Sequence, residues 1–266
     1  MSRDSADALA LAPDRALVEP AGSRGAVAQQ AEVGAGAPRR AETQAQAQAR
    51  AAAPPKDPTL DVELGCFDEG FDLVIGVDEV GRGAVAGPVA VGVHAVVRGT
   101  CEFPEGLRDS KLLSEKRREA MAPLVRGWGA GAVGFASAEE IDEHGIGAML
   151  GEAGRRALLE LHAAGVAVER ALILLDGSHD WLTPALRSPL RVRTRVGADR
   201  SCASVAAASV RAKVERDALM REAHEAHPEY GWSSNKGYGS RAHYEGITAR
   251  GLTELHRHTW ITRPRA

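Results

Sequence analysis

Short apolar segments recur along the chain and are separated by turns and by longer amphipathic stretches. Continuous apolar runs predict buried strands, whereas a run that alternates Arg with apolar residues predicts a half-exposed strand. Five strands are predicted in this way, at about 73–78, 89–97, 132–136, 170–176 and 190–196. The first two are close enough in sequence to form a hairpin.

Amphipathic stretches between and after these strands predict helices. Ser114 is the expected N-cap of a helix that continues to about residue 126. Further helices are predicted at about 138–144, 147–164, 201–227 and 241–250. The order, strands first and then alternating helices and strands, predicts an α/β fold in which helices pack on the faces of a mixed sheet.

The first 58 residues differ in composition from the rest of the chain. They are rich in Ala, Gly, Pro and Gln and contain no aromatic residue and no Ile. Such a segment has too little apolar bulk to offset the entropy cost of ordering. We therefore predict a disordered tail over 1–58 and a single α/β domain over 59–266.

The charges are distributed unevenly, although the formal net charge is only -3. Residues 59–186 carry 11 basic and 21 acidic side chains, whereas residues 187–266 carry 15 basic and 8 acidic ones. Two interpretations remain open. The charges form either an ordinary solvated mosaic, or a basic surface for phosphates beside an acidic pocket for metal.

The cysteines and the apolar runs bear on where the protein works. Cys66, Cys101 and Cys202 are odd in number and lack CxxC spacing, which indicates neither a disulfide framework nor a zinc site. No apolar run is long enough to span a membrane, and the stretch at 8–12 is too short for a secretion signal. We expect a cytoplasmic monomer that does not contact membranes.

Candidate chemistry begins where the first predicted strand ends. Asp78 and Glu79 close that strand and are followed by Gly81, Arg82 and Gly83. Two adjacent carboxylates are costly to bury unless a cation is paired with them. The two glycines leave the backbone open to a large polyanionic ligand. This pattern predicts a hydrolytic site that holds divalent metal and meets a phosphodiester.

Two further carboxylates follow strands later in the chain. Asp176 ends the fourth predicted strand and Asp199 follows the fifth. If the strands are neighbours, these side chains converge with Asp78 at one edge of the sheet. Oxygen ligands suit Mg²⁺ or Mn²⁺, and a pair of such ions can clamp an in-line phosphoryl displacement. A turn-forming role is the alternative for Asp176, which precedes Gly177.

Five collinear segments resemble type II ribonuclease H (ribonuclease HII). The most specific is 76–83, Gly-Val-Asp-Glu-Val-Gly-Arg-Gly, continued by Ala-Gly-Pro-Val at 86–89. The others are 109–114, 175–177, 199 with 204–217, and the C-terminal pair 235–239 and 255–257. The resemblance covers about 70–260 and implies a ribonuclease H-like fold, with a central mixed sheet flanked by helices and a C-terminal helical segment.

The resemblance also implies an activity. It is the endonucleolytic cutting of RNA in RNA–DNA hybrids and at single ribonucleotides embedded in duplex DNA, which belongs to ribonucleotide excision in DNA replication and repair. A two-metal-ion mechanism with Mn²⁺ or Mg²⁺ and products with 5′-phosphate and 3′-hydroxyl ends are implied. Non-catalytic binding of hybrids is the alternative, but it would require a missing carboxylate. A dinucleotide-binding glycine loop is disfavoured, because Pro88 stands where a helix should begin.

Matched residue by residue, the resemblance assigns roles in a site. The implied catalytic and metal-binding carboxylates are Asp78, Glu79, Asp176 and Asp199. The implied substrate-binding residues are Gly81, Arg82 and Gly83, which would sense the ribose 2′-hydroxyl, and Tyr238, which would pack on the neighbouring deoxyribose. Apart from the resemblance, Lys111 and Lys236 are candidates for contact with phosphates. Each lysine has an ordinary surface position as its alternative.

Two positions depart from the family pattern, and one carboxylate competes with Asp199. Ala84 stands where the family commonly has Pro, and Gly197-Ala198-Asp199 stands where it usually has Gly-Asp. Asp217 is the rival fourth carboxylate. It lies about four turns along the predicted long helix, and we expect it to pair with a neighbouring basic residue instead.

Overall fold

A mixed five-stranded sheet forms the centre of residues 57–261, the part of the chain that the computed structural model describes. Its strands are β1 (Leu73–Val80), β2 (Val89–Val97), β3 (Gly131–Ala136), β4 (Leu172–Asp176) and β5 (Arg191–Arg195), in the spatial order β3-β2-β1-β4-β5. The pairs β1–β2 and β2–β3 are antiparallel, whereas β1–β4 and β4–β5 are parallel. The predicted α/β fold and hairpin are confirmed. The glycine turn after β1 leads to a strand, unlike a dinucleotide-binding loop.

Helices cover both faces of this sheet. They are α1 (Asp61–Asp68), α2 (Glu115–Trp128), α3 (Ala138–His144), α4 (Ile146–Ala163), α5 (Ala198–Ser201), α6 (Ala203–Ala226), α7 (Trp232–Asn235), α8 (Arg241–Arg250) and α9 (His258–Ile261). Ser114 caps α2 as predicted, since its hydroxyl accepts from the amide of Arg117. The long helix predicted from residue 201 is divided, because Cys202 is extended between α5 and α6. Helix α1 was not predicted.

The central strands are apolar throughout because both of their faces are covered. Ile75 and Ile173 belong to the core on the α4 side, whereas Val74 and Leu174 belong to the core on the α2 and α6 side. Continuous apolar runs are typical of strands buried in this way. An ideal Cβ on Gly76 would lie 2.3 Å from the Ser204 carbonyl carbon, so β1 and α6 approach closely there.

The arginines that alternate along β5 lie beside α1 and the segment that follows it. Arg193 pairs with Glu69 at 2.7 Å, and the guanidinium of Arg191 lies 5.2 Å from the centre of the Phe71 ring. These contacts hold the edge strand against the N-terminal helix of the domain. Arg191 and Arg193 therefore each have a partner within the protein.

The predicted tail falls almost wholly outside the described residues. Residues 1–56 and 262–266 lie outside them, so disorder over 1–58 stays a prediction. The last two residues of that range are described, and they contact the domain: Pro58 is buried and Asp57 pairs with Arg108. Within the described range, no helix combines the length and the apolar character needed to cross a membrane.

Candidate active site

Asp78 and Asp176 lie side by side at one edge of the sheet. In the parallel pair β1–β4, Val77 stands opposite Leu175, so the next residue on each strand is one of the two aspartates. Side chains alternate between the faces of a strand. Asp78 and Asp176 therefore project from the α6 face of the sheet. The condition on which the convergence of these side chains depended, that the two strands are neighbours, is met.

The carboxyl group of Asp78 is almost completely buried, with 2% of the residue exposed. Its Oδ1 accepts from the amide of Glu79 at 2.8 Å, whereas its Oδ2 has no hydrogen-bond partner among the described residues. Burial raises the pKa of Asp78 to about 8, with added repulsion from Glu79 and Asp176, and against the attraction of Lys111 and the nearby hydroxyl of Ser209. An unpartnered buried carboxylate oxygen requires a cation if the group is to ionise at neutral pH.

Asp199 reaches the same region from the turn after β5. Gly197 has a left-handed backbone (φ 68°) that leads into α5, and Oδ1 of Asp176 accepts from the amide of Ala198 at 2.7 Å. Asp199 is buried, which raises the pKa of its carboxyl group, and repulsion from Asp176 and Asp109 raises it further. The inserted Ala198 thus supplies the amide that links α5 to the end of β4.

Lys111 lies among these carboxylates. Its Nζ is 3.3 Å from Oδ2 of Asp199. Burial lowers the pKa of Lys111, but attraction to Asp78, Asp109 and Asp199 outweighs it, so the pKa is raised overall. Asp109 is buried, accepts from the backbone amide of Lys111 at 2.9 Å and lies 3.7 Å from Arg200. The role of Asp109 was not predicted, although it begins one of the family-like segments.

The donor set suits a hard divalent cation. Asp78, Glu79, Asp176 and Asp199 offer only oxygen atoms, as Mg²⁺ and Mn²⁺ prefer, and Oδ2 of Asp78 is unpartnered. In the positions that the side chains adopt, no three His, Cys, Asp or Glu residues within 57–261 already converge as ion ligands. The ammonium of Lys111 lies among the carboxylates instead.

The glycine turn after β1 presents one buried and one open glycine. Gly81 has a φ of +85°, and an ideal Cβ on it would lie 2.0 Å from Nε of Arg216. Gly83 has no heavy atom within 4 Å of its ideal Cβ position. Between them, Arg82 is exposed and lies 3.5 Å from Glu79. The turn is thus packed against the protein on one side and accessible on the other.

Two buried arginines support this turn from behind. Arg257 donates to the carbonyls of Gly81 at 2.7 Å, Arg82 at 2.9 Å and Gly87 at 3.1 Å. Arg216 donates to the carbonyls of Pro88, Lys236 and Ala86, at 2.7, 2.9 and 3.2 Å. Sequence reasoning missed both, because a single arginine is expected at the surface. Their partners are backbone carbonyls, which have no pattern in the sequence; the one signal was that both residues lie in family-like segments, 204–217 and 255–257.

Tyr238 joins the C-terminal loop to the glycine turn. Its hydroxyl accepts from the amide of Gly81 at 3.2 Å, and the guanidinium of Arg216 lies 5.6 Å from the centre of its ring. The residue is 39% exposed, so part of its ring remains available to a ligand. The structure therefore brings together two segments that are 157 residues apart.

Two charged residues of the candidate site are held by protein groups. Lys236 is buried, and its ammonium contacts Glu115 at 3.2 Å and the carbonyl of Ser233. Asp217 lies 2.6 Å from Lys213 and 3.7 Å from Arg118. The prediction that Asp217 pairs with basic neighbours is confirmed.

Comparison with known proteins identifies the family. The Ribonuclease HII family model matches residues 75–263. Ribonuclease HII of Streptomyces avermitilis is 46% identical over 192 residues, which cover 72% of this chain and 78% of the relative. Ribonuclease HII of Cereibacter sphaeroides is 41% identical over 198 residues, which cover 74% and 88%.

A solved structure shows the same fold. Ribonuclease H2 from Pyrococcus horikoshii OT3 superposes with a TM-score of 0.52 at 26% identity, covering 71% of this chain and 93% of that protein. The resemblance of the five collinear segments is therefore confirmed over residues 75–263. The chain belongs to the ribonuclease HII family and is a ribonuclease H, an endonuclease of the hydrolase class.

Proposed function

We propose that the chain cuts the RNA strand of RNA–DNA hybrids, and also single ribonucleotides embedded in duplex DNA, with Mn²⁺ or Mg²⁺ as cofactor. The products would carry 5′-phosphate and 3′-hydroxyl ends. One observation carries the proposal: the buried Asp78 carboxyl group, with an unpartnered Oδ2, beside Asp176 at the edge of two parallel strands. A buried acid without a partner is costly unless a ligand completes it.

The ligands of the proposed ions are Asp78, Glu79, Asp176 and Asp199. A bound pair of divalent ions supplies the activation of water and the charge stabilisation needed for in-line displacement at phosphorus. Lys111 contributes in a different way. Its ammonium neutralises Asp199 at 3.3 Å and, because its side chain is 62% exposed, it can turn to a substrate phosphate.

The proposed recognition of ribose rests on the glycine turn. Gly83 leaves open space at its Cβ position, so its backbone is accessible to a 2′-hydroxyl, which both donates and accepts, whereas the amide and carbonyl of Gly81 already bond to Tyr238 and Arg257. Arg82 is exposed for a phosphate, and Tyr238 offers part of its ring to the adjoining deoxyribose. Lys236 reaches a phosphate only by giving up Glu115.

The test is cleavage of a duplex that contains one ribonucleotide, and of a continuous hybrid, with and without Mg²⁺ or Mn²⁺. Asp78→Asn should abolish cleavage of both substrates, because it removes a ligand charge and almost no volume. Thermal stability should be kept, since the variant also removes a buried ionisable group. The cut position, mapped on a labelled strand, gives the end groups.

The matched control is Asp68→Asn, the same change at an exposed carboxylate at the end of α1. It should cleave as the parent enzyme does. Cleavage at the parent rate by Asp78→Asn would show that the metal assignment is wrong. Cleavage by the parent enzyme in the presence of a chelator would show that the activity does not depend on metal.

A further inference from the structure

Tyr238 is held at both of its ends. Its hydroxyl accepts from the amide of Gly81 at 3.2 Å, and its backbone carbonyl lies 3.0 Å from Nδ1 of His243. His243 is fully buried on α8. The position of the tyrosine ring therefore depends on the glycine turn at one end and on a histidine at the other.

His243 is in turn connected to a second buried histidine. Its Nε2 lies 2.9 Å from Nε1 of Trp232 and 3.2 Å from Nε2 of His256. On the far side of His256, Nδ1 lies 2.9 Å from the amide nitrogen of Thr253. The contacts form a continuous line from Thr253 to Tyr238 through two imidazole rings.

The fixed donors in this line determine both tautomers. An indole N–H and a backbone N–H can only donate, so Nε2 of His243 accepts from Trp232 and Nδ1 of His256 accepts from Thr253. The proton of His243 therefore lies on Nδ1 and is donated to the Tyr238 carbonyl. The proton of His256 lies on Nε2 and points at Nε2 of His243, whose single lone pair is therefore shared between His256 at 3.2 Å and Trp232 at 2.9 Å. Every hydrogen bond in the line runs in the direction of Tyr238.

Both rings are neutral in this arrangement. A second proton on His256 would face the amide of Thr253, and a second proton on His243 would face the indole of Trp232. Burial lowers the pKa of both imidazoles, and repulsion from His243 contributes to lowering that of His256 to about 4. The two histidines thus form a structural chain of hydrogen bonds and do not carry protons.

We propose that His243 and His256 are positioning residues that set the place of Tyr238 and, through it, the preference for a single embedded ribonucleotide over a continuous hybrid. The inference rests on the proposed role of Tyr238 at the junction. It adds that this role depends on a donor at Nδ1 of His243, a residue that neither touches substrate nor resembles a site residue in the sequence.

Two substitutions of His243, to Asn and to Gln, distinguish the role of Nδ1 from that of Nε2. The amide of Asn lies near the position of Nδ1 and can still donate to the Tyr238 carbonyl, whereas the amide of Gln extends to the position of Nε2 and leaves that carbonyl without its donor. The measured quantity is the ratio of kcat/KM for a single-ribonucleotide duplex to kcat/KM for a continuous hybrid. We expect His243→Gln to lower the ratio about fivefold, the equivalent of one neutral hydrogen bond, and His243→Asn to restore most of it.

A second variant acts one step further from Tyr238. His256→Asn keeps an acceptor for Thr253 but removes the donor to His243, so it should lower the ratio by less than His243→Gln does. It also serves as the test if His243→Gln does not fold. The control is His94→Gln, the same replacement at a buried histidine of β2 that accepts from Arg211. It should cost stability without changing the ratio.

The double variant His243→Gln/Tyr238→Ala tests whether the histidine acts through the tyrosine. Its ratio should equal that of Tyr238→Ala alone, because residues that act as a unit are not additive. If Tyr238→Ala lowers the ratio and His243→Gln and His256→Asn leave it unchanged, the inference is wrong and the proposed function stands. An unchanged ratio in Tyr238→Ala itself would refute the role of the tyrosine at the junction, and the inference with it.

Discussion

The two glycines of the turn after β1 provide a sharp test of how the site is built. Gly81 and Gly83 are separated by one residue, yet their surroundings are opposite. A Cβ on Gly81 would meet Nε of Arg216 at 2.0 Å with the backbone at φ +85°, whereas a Cβ on Gly83 would meet nothing within 4 Å. The same substitution, Gly→Ala, therefore perturbs the fold at one position and only the accessible surface at the other.

The cost of Gly81→Ala has two sources. A left-handed backbone costs a residue with a Cβ about 1–2 kcal/mol relative to Gly. The guanidinium of Arg216 must also move, which weakens without removing its bonds to the carbonyls of Pro88 and Lys236; since a bond from a charged donor contributes about 1.5–3 kcal/mol, the weakening costs about 1–2 kcal/mol. Together these give about 2–4 kcal/mol, or a fall in Tm of about 5–15 °C for a domain of this size.

Gly83→Ala should leave the Tm unchanged but weaken cleavage, because its methyl group would stand on the open side of the turn where the ribose is proposed to lie. Unfolding by heat and by urea measures the first quantity, and kcat/KM on a continuous hybrid measures the second. Equal stability losses in the two variants would refute the argument, as would a Gly81→Ala protein as stable as the parent. Full activity of Gly83→Ala would contradict the proposed ribose contact.

Two further predictions concern the termini and the core. Deleting residues 1–56 should leave Tm and cleavage nearly unchanged, because their composition, rich in Ala, Gly, Pro and Gln, offers too little apolar bulk to pack on the domain, and the deletion keeps Asp57 and Pro58; a clear loss of either would contradict this. Burial, with repulsion from Arg211, lowers the pKa of His94 to about 3 from its ordinary 6.5. Between these two pH values the His94 imidazole is protonated in the unfolded chain and neutral in the folded protein, so stability should fall as the pH drops from 6.5 towards 3. His94→Gln should reduce the slope of unfolding free energy against pH by up to about 1.4 kcal/mol per pH unit. Urea unfolding at several pH values in that window measures the slope, and a slope equal to that of the parent would contradict the prediction.

The sequence was sufficient for the strands and for which of them end in acidic residues, but not for the order of the strands in the sheet. Continuous apolar runs predicted the strands, because both faces of β1 and β4 are covered. Asp78 and Asp176 each end such a run, so they could be placed together on the condition that the two strands are neighbours. These strands could be predicted from the local sequence because a strand that is buried on both faces consists of consecutive apolar residues.

Features that depend on distant contacts were not predictable in this way. Helix α1 is fixed by Glu63, whose Oε1 accepts from the amide and the hydroxyl of Ser204 at the start of α6, 141 residues away. Arg257 can be buried because carbonyls of the glycine turn accept hydrogen bonds from its guanidinium. In each case one polar side chain satisfies backbone groups of a remote segment, and neither the side chain nor the segment has a composition that indicates the pairing.

The electrostatics of the site link the metal to the substrate. Four acidic side chains lie near one another, and Lys111 is the ammonium that lies among them. Arg82 adds a second positive charge beside Glu79. Two positive charges do not balance four carboxylates, so a fully ionised site would repel the phosphates that it must approach. Bound divalent ions would remove that repulsion and release Lys111 from Asp199. Metal binding and substrate binding should therefore be cooperative, because the ions neutralise the negative charge that repels the phosphates, and the phosphates supply further negative charge that attracts the ions.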